Sequence, residues 1–235
     1  MNNRNPSEIK SWAEWFDRRA RYYSDPLAKI AYYVDGKLLP VELMGATLQD
    51  AFDKLRAASE CRLLDVGGGV GLFASTFRSK FKRIITTDIS FAMVKDGKRL
   101  SPNDNFIVTS AVDLPFKSCS FERLLCYSVF QYFQDLYFAK EVLSEFIRVV
   151  KKGGLILIGD IIPSQAQQKK EMKKQDNKQN PYYPPVLKHD LKMLEFKNEF
   201  FLEFCNENGI SFRVLKQNIK GKPASISRYD VLIET

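Results

Sequence analysis

Asp65, Gly67, Gly69 and Gly71, with Asp88 one strand later, are the residues whose types and spacing could do chemistry. Glycines at alternate positions let the backbone take conformations closed to a Cβ and let a ligand approach bare main chain. A pyrophosphate-binding loop would read G-x-G-x-x-G. Here Gly67 and Gly69 fill its first two positions, but the third falls on Leu72. The pattern is instead Asp-x-Gly-x-Gly-x-Gly. A carboxylate immediately before the loop would repel a pyrophosphate and suits a ligand with a cationic amino-acid end.

Flanking residues say what must position this loop. Leu63, Leu64 and Val66 form a short apolar run bounded by glycines, as in a buried parallel strand. Leu72 to Phe77 then takes a helical pattern, giving the strand, tight loop and helix that open a doubly wound α/β fold. Arg83 to Thr87 reads as the next strand and ends at Asp88, which is 88 − 67 = 21 residues past the first loop glycine. An acid about 20 residues on accepts hydrogen bonds from both hydroxyls of an unphosphorylated ribose. The alternative for Asp88 is a helix N-cap, a post for which Ser90 competes. The spacing favours ribose.

At this point the chain resembles the class I S-adenosylmethionine-dependent methyltransferases, and among them the broad type 11 group that acts on small molecules. The resemblance runs from about Cys61 to Asp160. It is carried by LLDVGGGVG (63–71), TTDIS (86–90), AVDLPFKSCSFE (111–122), SVFQYF (128–133) and EFIRVVKKGGLILIGD (145–160). It implies a doubly wound, seven-stranded, mostly parallel sheet of Rossmann-like type. It also implies S-adenosylmethionine as methyl donor and S-adenosylhomocysteine as product. Asp65, Gly67, Gly69 and Gly71 would then hold the methionine end, and Asp88 with Ile89 the ribose side. In similar enzymes an acid after the third strand bonds the adenine amino group; that place holds Ser110, followed by Ala111 and Val112, then Asp113. Either Ser110 or Asp113 does that work, or backbone and apolar contacts hold the ring.

The fourth strand, Phe121 to Cys126, should deliver Tyr127 and Gln131 to the methyl-transfer mouth, since ligands in such sheets sit beyond the carboxyl ends of strands. Many relatives carry a histidine where Gln131 stands. The Asn/Asp-Pro-Pro-Tyr motif of base-methylating enzymes is absent. His189, the lone histidine, lies between the fifth strand and the last helix, a segment that lines the substrate pocket in similar enzymes. There a base of near-neutral pKa could take a proton from an oxygen acceptor, although a lone histidine is more often structural. Tyr22, Tyr23, Tyr33, Tyr132, Asp160 and Tyr183 complete the expected substrate side.

The remaining chain supports these parts. Residues 1–60 are expected as an N-terminal helical cap, with Ser11 and Glu14 as a capping box and an aromatic face of Trp12, Trp15 and Phe16. We expect those three in the core. Further helices are expected over 27–34 and 45–58, and over 191–207 with Asp190 as its cap. Residues 61–235 form the expected core, with a lysine-rich loop at about 163–185 and a last antiparallel pair of strands.

The chain has 235 residues, 45% of them hydrophobic, enough for one well-filled core. No apolar run approaches a membrane span, no signal-peptide core opens the chain, and four scattered cysteines read as reduced thiols of a cytoplasmic protein. The net charge of +8 raises the question of nucleic acid. Much of the excess is five lysines within 167–178, with no interleaved aromatics, so nucleic acid is disfavoured. A solvated loop, or a lid drawn to an anionic small molecule such as a nucleotide-linked sugar, fits that run better. The chemistry expected is one in-line displacement at a sulfonium methyl, in which alignment and a dry pocket matter more than a covalent residue. An RNA methyltransferase and an inactive scaffold remain as alternatives, and oligomeric state is not legible.

Overall fold

Side chains written into the sequence start four of the helices. Ser11 accepts from Glu14 N and opens α1 (Trp12–Tyr22); Asp25 accepts from Ala28 N and opens α2 (Pro26–Lys29). Ser90 and Asp135 do the same for helices Phe91–Leu100 and Leu136–Val149. The structure, a computed structural model, describes residues 11–30, 33–34, 37–164, 187, 190–217 and 219–235.

After α2 come two short paired strands, β1 (Tyr33–Val34) and β2 (Lys37–Leu38), and then α3 (Val41–Lys54). The alternating core follows: β3 (Arg62–Val66), α4 (Leu72–Phe77), β4 (Arg83–Asp88), α5 (Phe91–Leu100), β5 (Asn105–Val108), β6 (Phe121–Tyr127), α6 (Leu136–Val149) and β7 (Val150–Ile161). The chain closes with α7 (Asn198–Asn208), β8 (Ser211–Lys216) and β9 (Tyr229–Glu234). The seven core strands lie in the order β5-β4-β3-β6-β7-β9-β8. Pairings are parallel from β5 through β7, and β9 joins β7 and β8 antiparallel. The order reverses between β3 and β6, which opens a crevice at their carboxyl ends.

Burial divides over the two sheet faces. On one, Leu64, Leu124, Phe130, Phe146, Ile156 and Phe201 pack under α6 and α7. On the other, Leu63, Phe73, Phe77, Leu125 and Leu157 pack under α3 and α4. Central strands buried on both faces explain why 63–66 and 155–158 read as continuous apolar runs. Cys61, Cys126 and Cys205 are buried and Cys119 is exposed; all are free thiols.

Local expectations fail where distant partners supply the hydrogen bonds. The helix expected over 27–34 ends at Lys29, because Tyr33 and Val34 pair with Leu38 and Lys37. The helix expected over 45–58 begins earlier, at Val41. The helix expected over 191–207 begins only at Asn198, so Asp190 caps nothing. The residues before it run extended because Leu194 N donates to Gln131 O and Phe196 N to Ile162 O, at 2.8 Å each. Phe196 is thereby fully buried beside Phe130 and Phe201. Lys151 to Gly154 belongs to β7. The lysine run at 167–178, Tyr183 and His189 lie outside the described residues.

Candidate active site

The chain leaves β3 at Val66 and turns at once. Gly67 N and Gly68 N both donate to Thr87 O on β4, at 2.7 and 3.1 Å. Gly67 sits at φ 71°, and a Cβ there would lie 2.4 Å from Val129 Cγ2. Gly67→Ala should therefore cost about 2 kcal/mol, combining backbone strain with overpacking. Thermal unfolding would show it as a Tm lowered by roughly 5 °C.

Asp88 ties the loop to the next helix. Its Oδ2 accepts from Gly69 N at 2.9 Å and its Oδ1 from Ser90 N at 2.8 Å. Ser90, not Asp88, caps α5, accepting from Met93 N through its side chain. Each Asp88 oxygen thus keeps lone-pair capacity, and the carboxylate borders the large cavity beyond the loop. One partner was not foreseen: Asp17 on α1 accepts from both Ser90 Oγ and Ala92 N, clamping the cap helix over the start of α5. Nothing in the local sequence points to this clamp, since Ser90 and Ala92 lie more than 70 positions away.

Asp65 is 3% exposed, and its Oδ2 is buried with no hydrogen-bond donor among the described residues. Burial, and then the nearby Asp88 charge, push its carboxyl up to about 7. Burial also raises Asp88, to about 6; the Ser90 and Gly69 N–H groups oppose that rise and Asp17 adds to it. Two carboxyls held this high in one cavity call for a partner carrying positive charge and hydroxyl donors. S-adenosylmethionine carries both, in its ammonium group and its ribose hydroxyls.

The cavity holds about 660 Å³. Its floor is Asp65, Gly67 to Gly69, Asp88 and Ile89, and Ser110 and Ala111 also line it. Val112 packs against the core, and Asp113 is exposed, its N–H folded back onto Ser110 O. Gly71 faces Phe106 rather than the cavity. Tyr127, Ser128, Val129 and Tyr132 form the wall at the end of β6. Trp12 and Phe16, expected in the core, border the cavity, with ring centroids 4.7 and 5.1 Å from that of Tyr132. Trp15 is the core member, its Nε1–H donating to Leu187 O at 3.0 Å.

Other expected residues lie elsewhere. The Gln131 side chain is buried off the wall, and its backbone carbonyl holds Leu194. Tyr22 and Tyr23 border a separate surface pocket with Phe91 and Lys95. For Tyr33 only the backbone course is described. Asp160 sits one layer behind the wall, where it accepts from Ser128 Oγ. Ser128 itself was missed as a site residue, although it opens the SVFQYF segment, because its partner Asp160 lies 32 positions away.

Comparisons with known proteins bear on the same segment. Residues 64–158 match the family model described as a methyltransferase domain. A malonyl-[acyl-carrier protein] O-methyltransferase of Hamiltonella defensa is 35% identical over 42% of this chain and 37% of its own length. A demethylmenaquinone methyltransferase of Renibacterium salmoninarum is 30% identical over 46% and 44%. The match thus spans less than half of either relative. Among solved structures, the geranyl diphosphate C-methyltransferase of Streptomyces coelicolor, complexed with Mg2+, geranyl diphosphate and S-adenosyl-L-homocysteine, covers 97% of this chain and 98% of its own. It aligns with TM-score 0.60 and 17% identity. A phosphoethanolamine N-methyltransferase of Haemonchus contortus, complexed with phosphoethanolamine and S-adenosylhomocysteine, covers 93% and 47% with TM-score 0.68 and 13% identity. Residues 64–158 are thus similar to that methyltransferase-domain family, and the chain has the fold of these solved S-adenosylmethionine-dependent methyltransferases.

Proposed function

We propose that this protein transfers the methyl group of S-adenosylmethionine to an oxygen, or a nitrogen, of a small molecule with an apolar, partly aromatic body. The observation that carries the reading is the joining of two unlike surfaces in one cavity: a floor with two carboxylates, Asp65 buried and Asp88 partly buried, and a wall of aromatic rings. The bound donor supplies a sulfonium methyl whose positive charge disperses as the bond to sulfur breaks. In this reading Asp65 orients the donor's ammonium, Asp88 its ribose, and Ser110 and Ala111 flank its adenine. The α1 helix, within the cap proposed for residues 1–60, closes the cavity and keeps water from the methyl group. The core would be 61–235.

The wall composition speaks to the acceptor. Trp12, Phe16, Tyr132, Phe133 and Phe138 offer ring faces, and few amides or carboxylates stand among them. A sugar needs many polar partners, so this lining supports an aromatic or isoprenoid acceptor over the sugar expected from the lysine run. Lys192, exposed at the wall, supports an anionic group on the acceptor.

The test is methyl transfer from radiolabelled S-adenosylmethionine to 2-naphthol, geraniol, ethanolamine and a uridine diphosphate sugar. Label should enter the aromatic or isoprenoid compounds; exclusive labelling of the sugar, or none at all, would refute the reading. Tyr132→Ala should raise the acceptor KM about tenfold by removing one apolar face. The Kd for S-adenosylhomocysteine, measured by calorimetry, should stay within about twofold.

A further inference from the structure

The cavity wall at the end of β6 holds a hydroxyl backed by a buried carboxylate. Ser128 Oγ donates to Asp160 Oδ2, from β6's end to the adjacent position on β7. Both residues have positive φ, 58° and 61°, where side-chain-bearing residues are rare. Among the described residues only Arg56 and Cys119 share that feature outside glycine, and neither borders the cavity. Strain on two facing residues at the carboxyl end of a sheet is the kind held in place for function.

Asp160 is built in from behind. Gln217 Nε2 and Lys222 Nζ reach its Oδ1 at 3.3 and 3.5 Å, and Arg228 Nη1 lies 3.8 Å from Oδ2. Its own N–H donates to Asp230 Oδ1 at 2.8 Å, and Asp230 in turn pairs with Lys54 at 2.7 Å. Burial opposes its charge, yet Arg228 and Lys222, with the Ser128 and Gln217 hydrogen bonds, hold its carboxyl below the usual carboxylate range. It is ionised wherever the enzyme works.

We propose that Ser128 and Asp160 are the proton acceptors of the methyl transfer, with Ser128 touching the acceptor and Asp160 acting through it. This rests on the function proposed above. The acceptor oxygen uses a lone pair to form the new C–O bond while the donor's C–S bond breaks and sulfur keeps its electrons. The hydroxyl proton passes to Ser128 Oγ, and the proton already on Ser128 passes to Asp160 Oδ2. Charge balances: a sulfonium and a carboxylate become a neutral thioether and a carboxylic acid, which later loses its proton to solvent. A weak base suffices, because an oxygen gaining a third bond becomes a strong acid. This pair also answers the want of a histidine at position 131.

The experiment compares two acceptors in the full-length protein. At about pH 8, 2-naphthol keeps its proton, whereas 4-nitrophenol is largely ionised and has little to lose. Ser128→Ala should slow methylation of 2-naphthol about 100-fold, with the rate recovering as rising pH ionises the naphthol. Methylation of 4-nitrophenol should fall less than about threefold, and the Kd for S-adenosylhomocysteine should hold. Asp160→Asn should show the same selectivity, with thermal melting confirming that the buried cluster still folds. Equal slowing of both acceptors, or no slowing, would overturn the relay. A wild type that binds S-adenosylhomocysteine yet methylates neither hydroxyl nor amine would refute the proposed function itself, whereas methylation of amines alone would overturn the relay and leave that function standing.

Discussion

Asp88→Ala is expected to weaken S-adenosylhomocysteine binding about a thousandfold. Each hydrogen bond from a ribose hydroxyl to a charged carboxylate contributes about 1.5–3 kcal/mol, and alanine removes two. The substitution also releases Gly69 N and Ser90 N, which Asp88 holds at 2.9 and 2.8 Å, so the loop loses a tether as well as a ligand partner. Asp88→Asn keeps an acceptor oxygen and should lie between, at roughly 30-fold. Calorimetry gives both values, and melting curves separate lost contacts from lost fold. A loss under fivefold for alanine would mean that Asp88 serves only to pin the loop.

The second large effect concerns pH. In the ligand-free protein burial raises Asp65 to about 7 and Asp88 to about 6, both far above an unfolded aspartate. A raised carboxyl makes the folded state bind protons that the unfolded state has already released. The stabilisation is therefore complete below the unfolded pKa and is lost as pH rises through the folded values. From about pH 5 to about pH 8 the free protein should lose roughly 3–4 kcal/mol, a Tm fall of about 10 °C. S-adenosylmethionine favours the ionised carboxylates, so its affinity should rise over the same interval and saturating ligand should shrink the Tm difference. A Tm that is flat with pH in the free protein would show that these carboxyls are better solvated than the geometry indicates.

What was readable in the sequence was what neighbours in the chain decide. The strand Arg62–Val66, the glycine loop and the placement of Asp88 all follow from short-range pattern, because a buried parallel strand and a positive-φ loop leave few residue choices. Contacts across long separations were not readable. Leu191 to Lys197 has a helical apolar period, yet its backbone bonds go to Gln131 and Ile162 instead. Ser128 and Asp160 are 32 positions apart and meet only because β6 and β7 lie side by side in register. The tyrosines were placed by composition rather than distance: Tyr22 is 22 − 12 = 10 residues beyond Trp12, which is about 15 Å along a helix. Trp12 can therefore reach the cavity while Tyr22 and Tyr23 border another pocket.

The site's electrostatics also explain why the dinucleotide reading fails. A pyrophosphate at Gly67–Gly69 would meet Asp65, already short of a hydrogen-bond donor, with Asp88 and Asp17 close behind. In the proposed function the adenosyl amino acid brings the opposite charge to the same place. Calorimetric titration of the wild-type protein with S-adenosylhomocysteine and, separately, with an oxidised nicotinamide dinucleotide tests this directly. The account predicts one saturable site for the first and no heat from the second; binding of the dinucleotide with none of S-adenosylhomocysteine would contradict it.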